Sequence, residues 1–191
     1  MTSKSPTSNI LENEASSPST ILVIFGASGD LTARKLAPAI FNLSLDGLLP
    51  SECFLIGYGR QQMSDAEFKG YLKDSLNAHS RRKIEGKAWD DLEHKISFHA
   101  GSYDDLKSFE ELKLKIEGIE KQLGRPLQCL FYISTPPGVF KPILENLGKS
   151  GLAKRHARKE FASKVIIEKP FGRDLESARA VSYTHLRAHE T

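Results

Sequence analysis

Five apolar runs punctuate the chain, at Ile21–Phe25, Cys53–Tyr58, Ile96–His99, Gln128–Ile133 and Lys164–Glu168. The first is apolar at every position, as expected of a parallel strand covered on both faces, and the others are read as buried strands of the same kind. Between these runs apolar residues return at helical spacing. Leu36, Ile40 and Leu43 make one stripe, and Phe68, Leu72 and Leu76 a second. Leu106, Phe109, Leu112, Ile116, Ile119 and Leu123 make the longest, and Val139, Ile143 and Leu147 a fourth. Ser64, with Glu67 three residues on, predicts a capping box at the start of the second helix. Residues 79–95 are polar and charged and are expected to form an exposed helical excursion. Strands alternating with helices imply βαβ units with right-handed crossovers, hence an α/β fold built on a doubly wound parallel sheet.

Composition narrows the classes of function. A length of 191 residues fits one domain. The formal charge of +3 is too small for a nucleic-acid binder. The basic runs, Arg81-Arg82-Lys83 and those within Lys154–Lys159, have acidic neighbours and no interleaved aromatics, so they read as solvated surface. No apolar run approaches membrane-spanning length. Neither nucleic acid nor membrane is therefore expected as a partner. Cys53 and Cys129 each lie inside a strand-like run and read as reduced core residues of a cytoplasmic protein, not as a disulfide or a metal site. The segment from Met1 to Pro18 is rich in Ser, Thr, Asn and Pro, which predicts a disordered tail over residues 1–19. Glu12, Glu14 and the lack of Arg there argue against a transit peptide.

The chemistry is concentrated where the predicted strands end. The first run leads into Gly26-Ala27-Ser28-Gly29-Asp30-Leu31-Thr32-Ala33. Strand, glycine turn and helix in that order make a site for a nucleotide phosphate. Gly26 permits a sharp turn, Gly29 lets an anion approach the main chain, and the first helical N–H groups face it. Ser28 and Leu31 stand where the second and third glycines of G-x-G-x-x-G would be, so an ordinary βα turn is the alternative. The second run ends Gly57-Tyr58-Gly59-Arg60-Gln61, with no carboxylate to take a ribose 2′-hydroxyl. Arg60 there can hold a 2′-phosphate through its bidentate fork, and Gln61 can add a hydrogen bond, which favours NADP over NAD. The alternative for Arg60 is a surface arginine in a loop.

The fourth run ends Ser134-Thr135-Pro136-Pro137, a rigid loop at the sheet edge where open α/β sheets bind ligands. The fifth ends Glu168-Lys169-Pro170, a charged pair that is costly to bury without partners. Lys169 must reach solvent or a ligand, or pair internally.

Taken together, Gly26-Ala-Ser-Gly-Asp-Leu, Gly57-Tyr-Gly-Arg60, Gly101-Ser-Tyr103-Asp-Asp, Phe131-Tyr-Ile-Ser-Thr-Pro-Pro137 and Glu168-Lys-Pro-Phe-Gly172 occur in order. The set closely resembles the coenzyme domain of the glucose-6-phosphate dehydrogenases, in a bacterial-like form, over about residues 20–180. The resemblance implies a Rossmann-like coenzyme domain and hydride transfer from C1 of glucose 6-phosphate to NADP, with NAD as an alternative. It implies that Gly26 to Ala33 form the pyrophosphate turn and that Arg60 and Gln61 hold the 2′-phosphate. Tyr103 would lie on the adenine side, and Ser134, Thr135 and Pro136 on the nicotinamide side. Lys169 would touch both cofactor and sugar.

Three features depart from the family pattern. Phe140 stands where some members carry Tyr. The catalytic His segment, Arg-Ile-Asp-His-Tyr-Leu-Gly-Lys, has no counterpart in this sequence, nor does the β+α domain through which a parent homodimer or homotetramer would form. Residues 181–191 break the pattern and are expected to be a non-native tail, so His185 and His189 are read as incidental, not as metal ligands. The 191-residue chain is accordingly expected to bind nucleotide without turnover. A non-catalytic NADP-binding module, and a Rossmann dehydrogenase for another sugar phosphate, are the alternatives.

Overall fold

The computed structural model describes residues 18–82, 84, 87–154 and 161–168. Five strands form one sheet: β1 (Thr20–Phe25), β2 (Cys53–Gly59), β3 (Ile96–Ala100), β4 (Gln128–Ile133) and β5 (Lys164–Ile167). Their order is β3-β2-β1-β4-β5, and every neighbouring pair is parallel. The chain thus winds outward from β1 in one direction, then returns past β1 and winds in the other. The reversal lies between β1 and β4, the point at which open α/β sheets receive their ligands.

Among the described residues five α-helices connect the strands: α1 (Ala37–Leu45), α2 (Asp65–His79), α3 (Lys87–Glu93), α4 (Leu106–Leu123) and α5 (Phe140–Lys149). Alternation along β1 divides the core. Ile21, Val23 and Phe25 pack with Ile56, Tyr58 and Phe131 beneath α4 and α5, among Phe109, Leu112, Ile116, Ile143 and Leu147. Ile24 packs on the other face with Leu55 and Phe98, beneath Phe41 of α1, Phe68, Leu72 and Leu76 of α2, and Trp89 and Leu92 of α3. Each fully buried side chain of this size contributes roughly 1.5–3 kcal/mol over its exposed state, so both sheet faces need their helices.

Local chemistry sets the helix boundaries. The Ser64–Glu67 capping box forms as predicted: the Glu67 N–H donates to the Ser64 hydroxyl at 3.2 Å, and the Glu67 carboxylate accepts from the Ser64 N–H at 2.7 Å. Helix α4 starts on Asp105, whose side chain accepts from the Lys107 and Ser108 N–H groups.

Three expectations need correction. The fifth run is read above as a buried strand, but β5 has no buried residue: Lys164 and Ile166 are exposed and Val165 and Ile167 half-buried, because β5 is an edge strand that pairs with β4 alone among the described residues. In the stripe Leu36, Ile40, Leu43, the last residue is 41% exposed, and Phe41 takes the core position. A π-helical turn at Thr32–Leu36 precedes α1, with the Ala37 N–H donating to the Thr32 carbonyl five residues back. Pro38 has no N–H to give and its ring crowds the carbonyl four residues back, so the wider turn relieves it. The segment 79–95 does carry a helix, α3, but it is not a free excursion. Trp89 is 4% and Leu92 7% exposed, both in the core beneath α1 and α2.

Candidate functional site

Strand register brings the chemistry to one edge. Phe25 pairs with Tyr58 and Ile133, Tyr58 with His99, and Ile133 with Ile167. Gly26, Arg60, Gly101, Ser134 and Glu168 therefore leave the sheet on its carboxyl edge together.

The glycine turn is bound on three sides. Gly26 has φ +82°, and a Cβ there would lie 2.6 Å from the Ser134 carbonyl oxygen and 3.0 Å from Thr135 Cγ2. Conformation and space both demand glycine. The Gly26 and Ala27 N–H groups donate to the Tyr58 carbonyl at 2.9 and 3.2 Å, and the Ser134 N–H donates to Phe25 at 2.9 Å. The buried Thr32 hydroxyl donates back to the Gly26 carbonyl at 3.2 Å and lies 3.5 Å from Ser134 Oγ. At Gly29 a Cβ would lie 3.0 Å from the Gly26 carbonyl. Helical turns start at Asp30, so the N–H groups of Asp30, Leu31 and Thr32 have no carbonyl one turn back in the helix. Such donors, with the positive end of the helix dipole, favour an anion. Ala27 is buried, and Ser28, Leu31 and Ala33 are half-buried. Asp30 is exposed, and its 3.8 Å ion pair with Arg34 joins two largely solvated side chains and adds little.

One strand away, Arg60 follows β2 and is exposed, as is Gln61. Its guanidinium lies 5.8 Å from the centre of the Tyr103 ring. That ring is 8% exposed and packs at 5.8 Å on Tyr58. Burial pushes the Tyr103 phenol up, against the opposing pull of Arg60. Asp104, held below the usual carboxylate range by the Ser102 hydroxyl, also stands in the field of Arg60. The exposed guanidinium thus lies over a buried aromatic ring.

On the other side of β1, Ser134 and Thr135 are half-buried and Pro136 is exposed. Thr135 Oγ1 is buried without a hydrogen-bond partner, one of three such side-chain atoms among the described residues. An orphaned polar atom beside the turn fits a site completed by a ligand. Glu168 accepts from the Tyr132 hydroxyl, and burial followed by this carboxylate pushes the phenol up to about 12. That bond gives the half-buried Glu168 carboxylate a partner. Lys169, Pro170, His185 and His189 lie outside the described residues, as do residues 1–17.

Guanidinium, turn and orphaned hydroxyl follow three adjacent strands, β2, β1 and β4. The donor set fits a nicotinamide dinucleotide: helix N–H groups for its pyrophosphate, Arg60 and Gln61 for a ribose phosphate, and Ser134, Thr135 and Pro136 for the far end.

Several participants are not visible in the sequence. Tyr71 of α2 donates to the Gly29 carbonyl at 3.2 Å. Asn146 of α5, 5% exposed, donates to the Tyr103 carbonyl at 3.0 Å and so anchors the platform under Arg60. Asp104 joins Arg60 from a different strand end. Each acts across more than 35 residues of sequence, where periodicity carries no signal.

Comparison with known proteins agrees with this geometry. The family model described as "Glucose-6-phosphate dehydrogenase, NAD binding domain" matches residues 23–189. A glucose-6-phosphate 1-dehydrogenase of Chlamydia pneumoniae is 39% identical over 170 residues, covering 88% of this chain and 33% of the relative. A solved glucose-6-phosphate dehydrogenase in complex with its substrate glucose-6-phosphate superposes with a TM-score of 0.74 at 32% identity, over 87% of this chain and 34% of that one. The glucose-6-phosphate 1-dehydrogenase of Mycobacterium avium gives 0.73 at 32% identity, over 90% and 34%. The chain spans about a third of the length of these relatives. With the parallel five-stranded sheet, its glycine turn and the matched family model in hand, the chain belongs to the glucose-6-phosphate dehydrogenase family, of which it carries the nicotinamide-cofactor-binding domain.

Proposed function

We propose that this chain is the coenzyme-holding part of an oxidoreductase that converts glucose 6-phosphate to the phosphogluconolactone with NADP. The observation that carries the choice of NADP is Arg60, presented on the Tyr103 ring at the end of β2, on a strand end that has no carboxylate. An acidic residue there would accept from a free 2′-hydroxyl. A guanidinium pairs with a 2′-phosphate.

The division of labour follows from position. The N–H groups of Asp30, Leu31 and Thr32 bind and orient the pyrophosphate. Arg60 and Gln61 take the 2′-phosphate. Ser134, Thr135 and Pro136 line the nicotinamide side and hold it against the end of β4. When bound, NADP supplies the acceptor for the hydride that leaves C1 of the sugar. Lys169, directly after the Tyr132–Glu168 bond, is assigned to contact both cofactor and sugar. The sugar's phosphate, the proton acceptor for its C1 hydroxyl and the homodimer or homotetramer interface are assigned to the remainder of the full-length family member. Cys53 and Cys129 are buried thiols outside any disulfide, which supports a reducing compartment, the cytoplasm.

Calorimetric titration of the 191-residue chain with NADP and NAD, repeated on Arg60→Ala, tests this reading. A charge-assisted contact is worth about 1.5–3 kcal/mol, so Arg60→Ala should weaken NADP roughly 10- to 100-fold and leave NAD nearly unchanged. A folded chain that binds neither nucleotide, or an unaltered preference in Arg60→Ala, refutes it.

A further inference from the structure

The Gly26 end of the nucleotide turn is tied to β2 and β4, and its Gly29 end is tied to a helix, α2. Tyr71 sits on α2, half-buried, with its ring stacked 6.3 Å from Phe68. Its hydroxyl donates to the Gly29 carbonyl at 3.2 Å, and the same carbonyl accepts from the Ala33 N–H at 3.1 Å. Two donors therefore fix the direction of one carbonyl.

The consequence lies on the other side of the peptide. A peptide unit is planar and trans, so the Gly29 carbonyl and the Asp30 N–H point in opposite directions. Holding the carbonyl along the helix, against α2, holds the Asp30 N–H toward the open end of the helix. That N–H is the first of the unpaired donors facing the anion. The Gly26 half of the turn is held by Tyr58, Ser134 and Thr32, through β2 and β4. Tyr71 supplies a tertiary hydrogen bond to the Gly29 half.

We infer that Tyr71 is a positioning residue for dinucleotide binding: its hydroxyl, acting through the Gly29–Asp30 peptide, aims the Asp30 N–H at the pyrophosphate. The inference rests on the nucleotide-binding reading above and deepens it. The Tyr71 hydroxyl acts on the Gly29 carbonyl after β1, one strand away from Arg60 at the end of β2. Its effect should therefore appear on ligands that carry a pyrophosphate and not on those that carry a 2′-phosphate alone.

That separation gives the experiment. Wild type, Tyr71→Phe and Arg60→Ala are each titrated with NADP and with adenosine 2′-monophosphate, as the full 191-residue chain. Tyr71→Phe keeps the ring that packs on Phe68 and removes only the hydroxyl. Thermal unfolding followed by the fluorescence of Trp89 checks that each variant is folded. Loss of one hydrogen bond should weaken NADP about fivefold in Tyr71→Phe and leave adenosine 2′-monophosphate within about twofold of wild type. Arg60→Ala should weaken both. The inference is overturned if Tyr71→Phe leaves NADP affinity intact, or weakens both ligands alike as a merely structural residue would. If folded wild-type chain binds neither ligand, the nucleotide-binding reading itself fails, an outcome distinct from either.

Discussion

Gly26 and Gly47 offer a matched pair for weighing the nucleotide turn. Both have positive φ, +82° and +66°. They differ in their surroundings. A Cβ on Gly47 would meet nothing within 4 Å, whereas on Gly26 it would press to 2.6 Å on the Ser134 carbonyl oxygen and 3.0 Å on Thr135 Cγ2. Substitution by alanine in the left-handed region costs about 1–2 kcal/mol, partly offset by about 0.4–1 kcal/mol from the stiffer unfolded chain. Those two effects are shared, so the difference between Gly26→Ala and Gly47→Ala isolates the contact with the end of β4. The struck atom is backbone and cannot rotate aside. Overpacking of that kind costs about 1–3 kcal/mol, which for a chain of this length separates the two melting midpoints by roughly 2–12 °C. The chain has a single tryptophan, Trp89, 4% exposed, so thermal unfolding can be followed by its fluorescence. Gly26→Ala should also lose nucleotide affinity, because relief of the contact parts β4 from the turn. Equal midpoints for the two variants would refute the claim that the turn is packed against Ser134.

Other consequences concern pH and capping. Burial holds His99 below its ordinary value of 6.5, against the opposing hydrogen bond from its Nε2 to the Ser108 carbonyl and with Lys115 adding to the depression and Glu111 resisting it. The unfolded chain therefore binds a proton more readily than the folded one, and stability should fall as pH drops below 6.5 toward the folded value, then level off. Denaturant titrations across that range should show a slope that His99→Gln flattens, and an unchanged slope would remove His99 from the account. Ser64→Ala deletes the acceptor for the Glu67 N–H at the start of α2 and should lower the melting midpoint by roughly 2–4 °C, and a midpoint equal to wild type would show that the capping box contributes nothing.

Much of this protein is written locally. The apolar runs locate five strands to within about a residue, most plainly for the central strands β1 and β2, because a strand buried on both faces needs unbroken apolar sequence. The Ser64–Glu67 box, the glycine turn and Arg60 at the end of β2 are likewise legible, since each depends on residues within one turn or one strand end. Even there, local reading has a limit: Pro38 imposes a π turn, and Phe41 displaces Leu43 from the core. Trp89 and Leu92 show the same limit within a polar segment, because two apolar side chains one turn apart suffice to dock a short helix. Tertiary structure alone decides which distant groups hold the site in place. Tyr71 on Gly29, Asn146 on the Tyr103 carbonyl, and Tyr132 on Glu168 join residues 42, 43 and 36 positions apart. Those pairings arise from the order of strands in the sheet and from which helix covers which face. Hydrophobic periodicity reports that a face is buried and is silent on what lies across from it.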